Sequence, residues 1–128
     1  DARRDAALGA KILAALGPFD VGQAAVVADG RCLGIEAAEG TDGLLARVGE
    51  LGSARGGVLV KMAKPGQDRR FDLPAIGPRT VEAAVRAGLG GIAVEAGGVL
   101  ILERAPTIVA ANAARLFLWS AAPDELVG

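Results

Sequence analysis

Apolar positions along the chain alternate between a helical and an extended rhythm. In residues 1–16 Leu8, Ile12 and Leu16 recur on one helical face of an Ala-rich stretch, and Gly17-Pro18 ends it. Two short apolar runs, 24–28 and 31–37, flank Asp29-Gly30, the two-residue signature of a tight hairpin. Thr41 or Asp42 is placed to cap a helix over 43–51. Residues 58–63 read as a buried strand. Residues 91–96 and 99–103 read as strands joined by Gly97-Gly98 into a second hairpin. Between them Gly77-Pro78-Arg79-Thr80 opens a helix to residue 87, with Val81, Ala84 and Val85 facing inward. A helix over 106–116, a short strand at 117–119 and a tail from 121 complete the pattern. The expectation is one α/β domain of about six strands, with two hairpins in a mixed sheet, and about four helices; strand order stays open.

Charge gathers at one place in this pattern. Lys61 lies on the strand at 58–63, Lys64-Pro65-Gly66 punctuates it, and Gln67, Asp68, Arg69, Arg70 and Asp72 follow. Cations with carboxylates at a strand end suit a phosphorylated, metal-bound ligand, because Lys and Arg neutralise phosphate oxygens while a carboxylate holds a hard cation. Pro65, Pro74 and the neighbouring glycines restrict the backbone, and Phe71, Leu73 and Ile76 can pin it to the core. Glu36, Glu39 and Asp42 form a second acidic group where a strand meets a helix.

Composition narrows the chemistry. The 128 residues are 52% hydrophobic, enough to bury the core of one compact domain. With 14 basic against 15 acidic residues and 3% aromatics, there is neither a basic field nor a stacking platform, so nucleic acid is not an expected partner. His is absent, which excludes imidazole catalysis, a Ser-His-Asp triad and His-ligated zinc within the chain. Catalysis here must use carboxylates, Lys, Arg or a metal held by oxygen. Cys32 has no partner cysteine, reads as a small core residue and fits a reducing compartment. No run reaches the roughly 18 apolar residues of a membrane span. The chain begins at Asp1 without Met or a leader and is expected to be a piece of a longer protein.

Four motifs, in order, carry a resemblance: GQAAVV at 22–27, IEAAEGTD at 35–42, GVLVKMAKPGQDRRFDLPAIG at 57–77 and AGLGGIAVEAG at 87–97. Together they resemble the C-terminal domain of UDP-2,3-diacylglucosamine pyrophosphatases of the LpxI type over nearly the whole chain. The combination of EGTD, KP-x-Q and DLP-x-IG is far more specific than a lone glycine motif. The resemblance implies an N-terminal Rossmann-like domain, absent from this chain, and an active site between the two domains. It implies metal-dependent hydrolysis, usually with magnesium, of the pyrophosphate of UDP-2,3-diacylglucosamine to UMP and 2,3-diacylglucosamine 1-phosphate in lipid A biosynthesis. The isolated domain is then expected to turn over poorly or not at all.

By the same resemblance, the Asp of DLP, Asp72, is the residue most tied to catalysis. Residue type assigns Asp72, with Glu39 and Asp42 as helpers, to the metal or the water, Asp72 and Asp42 being the metal ligands. Lys61, Lys64 and Arg70 are assigned to phosphate, Gln67 to hydrogen bonding, and Gln23 and Thr41 to substrate contact. Glu36 and Glu95 read as polar faces of strands. A non-catalytic domain of the same fold that holds an acyl sugar or nucleotide is the alternative. The expected partner is a lipid-linked nucleotide sugar, with a homodimer left open. The expected location is the cytoplasm or, loosely, the inner face of the inner membrane.

Overall fold

Three segments are apolar at nearly every position rather than every second one: Ala24–Ala28, Val58–Lys61 and Gly91–Glu95. Strands of this kind are buried on both faces, which requires helices above and below the sheet. The computed structural model, which describes residues 1–19, 21–63 and 73–127, has this three-layer form.

The elements run α1 (Ala2–Leu16), a 3-10 turn (Gly17–Phe19), β1 (Ala24–Ala28), β2 (Arg31–Ile35), α2 (Gly40–Leu51), β3 (Val58–Lys61) and β4 (Ala75–Ile76). They continue with α3 (Pro78–Ala87), β5 (Gly91–Glu95), β6 (Leu100–Ile101), α4 (Arg104–Ala114), β7 (Phe117–Ala121) and α5 (Pro123–Val127). The main sheet has the order β2-β1-β3-β5-β7; β1 is antiparallel to both its neighbours, and β3, β5 and β7 are mutually parallel. Strands β4 and β6 pair in parallel as a separate two-stranded sheet.

Side-chain alternation sorts the core into two layers. Val26, Leu59, Ile92 and Val94 face a cluster with α2 and α3, while Ala25, Val58, Val60 and Ala93 face α1 and α5. On α1 the buried face is Ala6, Gly9, Ala10 and Leu13. Leu8, Ile12 and Leu16 are only partly covered, because small side chains let the helix sit close to β3: a Cβ on Gly9 would lie 2.6 Å from Val60 Cγ2.

Several local expectations are corrected. The β1–β2 hairpin forms as expected, with positive φ at both Asp29 (51°) and Gly30 (76°) as a type I′ turn requires. The second hairpin does not form. Both edges of β5 are taken by β3 and β7, so the segment after Gly97-Gly98 leaves the main sheet and pairs with β4. Helix α2 starts earlier, at Gly40, and neither Thr41 nor Asp42 caps it. Val85 is exposed at 44%, α4 begins at Arg104, and the expected tail contains β7's last residue, Ala121, and α5.

The hairpin turn is tied down by a residue that periodicity does not reveal. Asp5, 3% exposed on α1, accepts hydrogen bonds from Gly30 N at 2.7 Å and Asp29 N at 3.2 Å. Asp5→Ala leaves both donors without that carboxylate and is expected to cost about 1–3 kcal/mol in urea unfolding, with Asp5→Asn costing less. A loss below about 0.5 kcal/mol, the range of ordinary surface substitutions, would contradict this role.

Candidate functional site

In open α/β sheets the ligand crevice lies beyond the carboxyl ends of the parallel strands. Here β3 ends at Lys61 and β5 at Glu95, and the antiparallel β1 brings Ala24 opposite Lys61. In sequence, residues 64–72 come after β3 and Met62-Ala63. Both α2 and α3 also start at this end of the sheet, so Glu39 to Asp42 and Gly77 to Thr80 line one cleft of about 490 Å³, with Lys61, Ile76, Leu102 and Glu103 completing its wall.

The centre of this cleft is a buried cation. Lys61 continues the face of Leu59 and is only 8% exposed. Its Nζ donates to Ala75 O at 2.8 Å and to Thr41 Oγ1 at 3.0 Å. Thr41 Oγ1 in turn donates to Glu36 Oε2 at 2.5 Å, and the other oxygen of Glu36 accepts from Gln23 N at 3.0 Å. One relay therefore joins β3, β4, the start of α2 and the entry to β1. Burial pulls the Lys61 ammonium below its ordinary value of 10.5, and the carboxylates of Glu36 and Asp42 offset part of that fall.

Backbone contact sets the position of Glu36. A Cβ on Gly22 would lie 2.0 Å from Glu36 O, so only glycine allows the two segments to approach and deliver Gln23 N to the carboxylate. Glu39 starts α2, accepts from Ala37 N at 2.7 Å and pairs with Arg47 at 3.5 Å; this half-exposed pair contributes little to stability. Glu95, 4% exposed, accepts from Ala63 N at 3.0 Å and so fixes the last described residue before 64–72.

The cleft thus gathers four of the residues expected at the site: Lys61, Thr41, Asp42 and Glu39. Gln23 braces the relay through its backbone, donating to Glu36 and accepting from Met62 N. Lys64, Gln67, Arg70 and Asp72 lie outside the described residues, as do Asp68 and Arg69. Glu36, Arg79 and Thr80 join the site without having been singled out for it. Glu36, half-buried, and Glu95, buried, are both hydrogen-bonded groups rather than plain polar strand faces. The signal for Arg79 and Thr80 was the Gly-Pro-Arg-Thr helix start, since a helix N-terminus is where anions bind.

Metal ligation by the described part alone is not supported. No group of three potential ligands occurs among the described residues, and Glu36 and Glu39 already accept hydrogen bonds. Asp42 remains as a cleft carboxylate. Magnesium commonly takes only one or two carboxylates, together with waters and substrate phosphate oxygens, so Asp42 with Asp72 is an adequate donor set by type.

Residues 1–119 match the family model described as the LpxI C-terminal domain. The chain is 46% identical over 117 residues to the UDP-2,3-diacylglucosamine pyrophosphatase LpxI of Caulobacter vibrioides, an alignment that covers 86% of this chain and 42% of that protein. The chain therefore spans less than half the length of that relative.

The lowered Lys61 pKa has a signed consequence. The unfolded chain keeps a proton that the native protein releases between the lowered value and about 10.5, so stability rises with pH across that window and Lys61 contributes least below it. Urea unfolding from neutral pH to about 10.5 is expected to show this rise in the parent protein and to lose it in Lys61→Met. Equal pH slopes in the two proteins would contradict a buried, destabilised ammonium.

Proposed function

Because the chain belongs to the LpxI C-terminal domain family, we propose that it is the part of a UDP-2,3-diacylglucosamine pyrophosphatase that grips the pyrophosphate. The observation that carries this reading is the convergence of two helix N-termini, those of α2 and α3, with the Lys61 ammonium on one cleft. Helix N-termini present unpaired N–H groups and a partial positive charge, and a cation held between them adds a full charge without needing to reorganise. A pyrophosphate, with negative charge on two adjacent phosphorus centres, is the ligand class such a cleft suits.

In this reading Lys61 and Arg79 neutralise phosphate oxygens, joined by Lys64 and Arg70, while Gln67 and Thr80 supply hydrogen bonds. Glu36 positions Lys61 through Thr41. Asp72 holds the attacking water, which adds across the anhydride so that the bridging P–O bond breaks and UMP and 2,3-diacylglucosamine 1-phosphate leave. Asp72 and Asp42 would hold magnesium, which when bound neutralises charge developing on the phosphoryl oxygens. The rest of the longer protein would complete the site, and the product would enter lipid A biosynthesis. The enzyme would be cytoplasmic and meet its lipid substrate peripherally; no described helix is long and apolar enough to cross a membrane.

The decisive variant is Asp72→Ala in the full natural protein, followed by UMP release with magnesium present. Turnover is expected to fall by at least ~10²-fold, the lower end for a positioned catalytic group. Folding and substrate affinity are expected to persist because the cations remain. Near-parental turnover would place the chemistry elsewhere.

A further inference from the structure

The geometry points to a second, apolar cleft as the seat of a substrate acyl chain, an inference that rests on the reading just given. This cleft, of about 450 Å³, lies between the sheet face of β5 and β7 and helix α4, and its wall includes Ile92, Val94, Ile101, Ile108, Leu118 and Trp119. Arg104 is its one charged lining residue among those described. Its position, more than its apolarity, identifies the occupant. Ile76 lines both this cleft and the polar one around Lys61. In the two-stranded sheet Ile76 pairs with Ile101, which faces the apolar cleft, while the next residues along, Leu102 and Glu103, line the polar cleft.

The β4–β6 ribbon is therefore a thin partition with a phosphate-type cleft on one side and a hydrocarbon-type cleft on the other. A ligand that is charged at one end and acylated at the other can occupy both by passing over that single wall. The name of the Caulobacter relative specifies such a molecule, a nucleotide sugar bearing two acyl groups. A flexible hydrocarbon gains by leaving water for a ready-made apolar surface, and pockets of this volume are in the range that small ligands occupy. Leu100 and Leu102, 47% and 51% exposed, extend apolar surface along the ribbon. They would contact the chain where it crosses.

The test uses the full natural protein and UDP-2,3-diacylglucosamine carrying a photoreactive diazirine on an acyl chain, with labelled peptides mapped by mass spectrometry and UMP release measured in the same samples. Label is expected within the segment 92–120, which holds all the cleft-lining residues but Ile76. Two exposed or half-exposed positions supply variants that spare the core: Ile108→Glu places a charge in the cleft, and Asn112→Phe fills it. Each is expected to raise KM for the diacylated substrate by roughly 10-fold, the scale of a hydrophobic-pocket mismatch, while competition by UDP stays unchanged. Turnover with label outside this segment, as when another part of the protein covers the cleft, overturns the acyl seat alone, as does an unchanged KM in both variants. Label in the cleft without turnover upholds the seat and overturns the hydrolase reading. Neither label nor turnover overturns both.

Discussion

An ammonium group at the end of a fully buried strand has to be met by oxygens, and the carboxyl end of this sheet is arranged around that requirement. Leaving Lys61 without partners would cost far more than a surface charge ever contributes. The partners come from three separate segments: Ala75 O from the small sheet, Thr41 from the first turn of α2, and Glu36, at one remove, from the exit of β2. Each of these segments reaches the cleft because the buried lysine needs it there. Gly22 belongs to the same requirement, since any larger residue would push Glu36 away from the backbone donor that orients it.

What was legible in the sequence was whatever local chemistry decides. Asp29-Gly30 announced a hairpin because only residues tolerant of positive φ make that turn, and Gly77-Pro78 announced a helix start because proline's missing N–H costs nothing there. Lys61 stood out as the one charge in an apolar run. What was hidden was decided by pairing at long range. Val99 and the residues after it look like the return strand of a hairpin, yet β5 has no open edge to offer them. The two-residue strand β4 leaves no periodic trace, and the Asp5 carboxylate on α1 finds its donors 24 and 25 residues away. Glu36 and Glu95 resembled surface positions because alternation shows which face a side chain takes, not what covers that face.

The small β4–β6 sheet is where fold and function meet. It adds little core, but it supplies Ala75 O to Lys61 on one side and Ile76 and Ile101 to the apolar cleft on the other. The polar and the apolar cleft are thereby separated by one layer of side chains. In sequence, residues 64–72 lie between β3 and this ribbon.

The central claim is that Glu36, Thr41 and Lys61 act as one unit, Glu36 and Lys61 attracting each other by charge and being bridged by the threonine hydroxyl. A double-mutant cycle with Glu36→Gln and Lys61→Met, read by urea unfolding at neutral pH, measures this directly. The account predicts a coupling of at least about 1 kcal/mol, in the range of residues that share a network. Additivity within about 0.3 kcal/mol would show that the two side chains are independent, and the relay at the heart of the site would not exist.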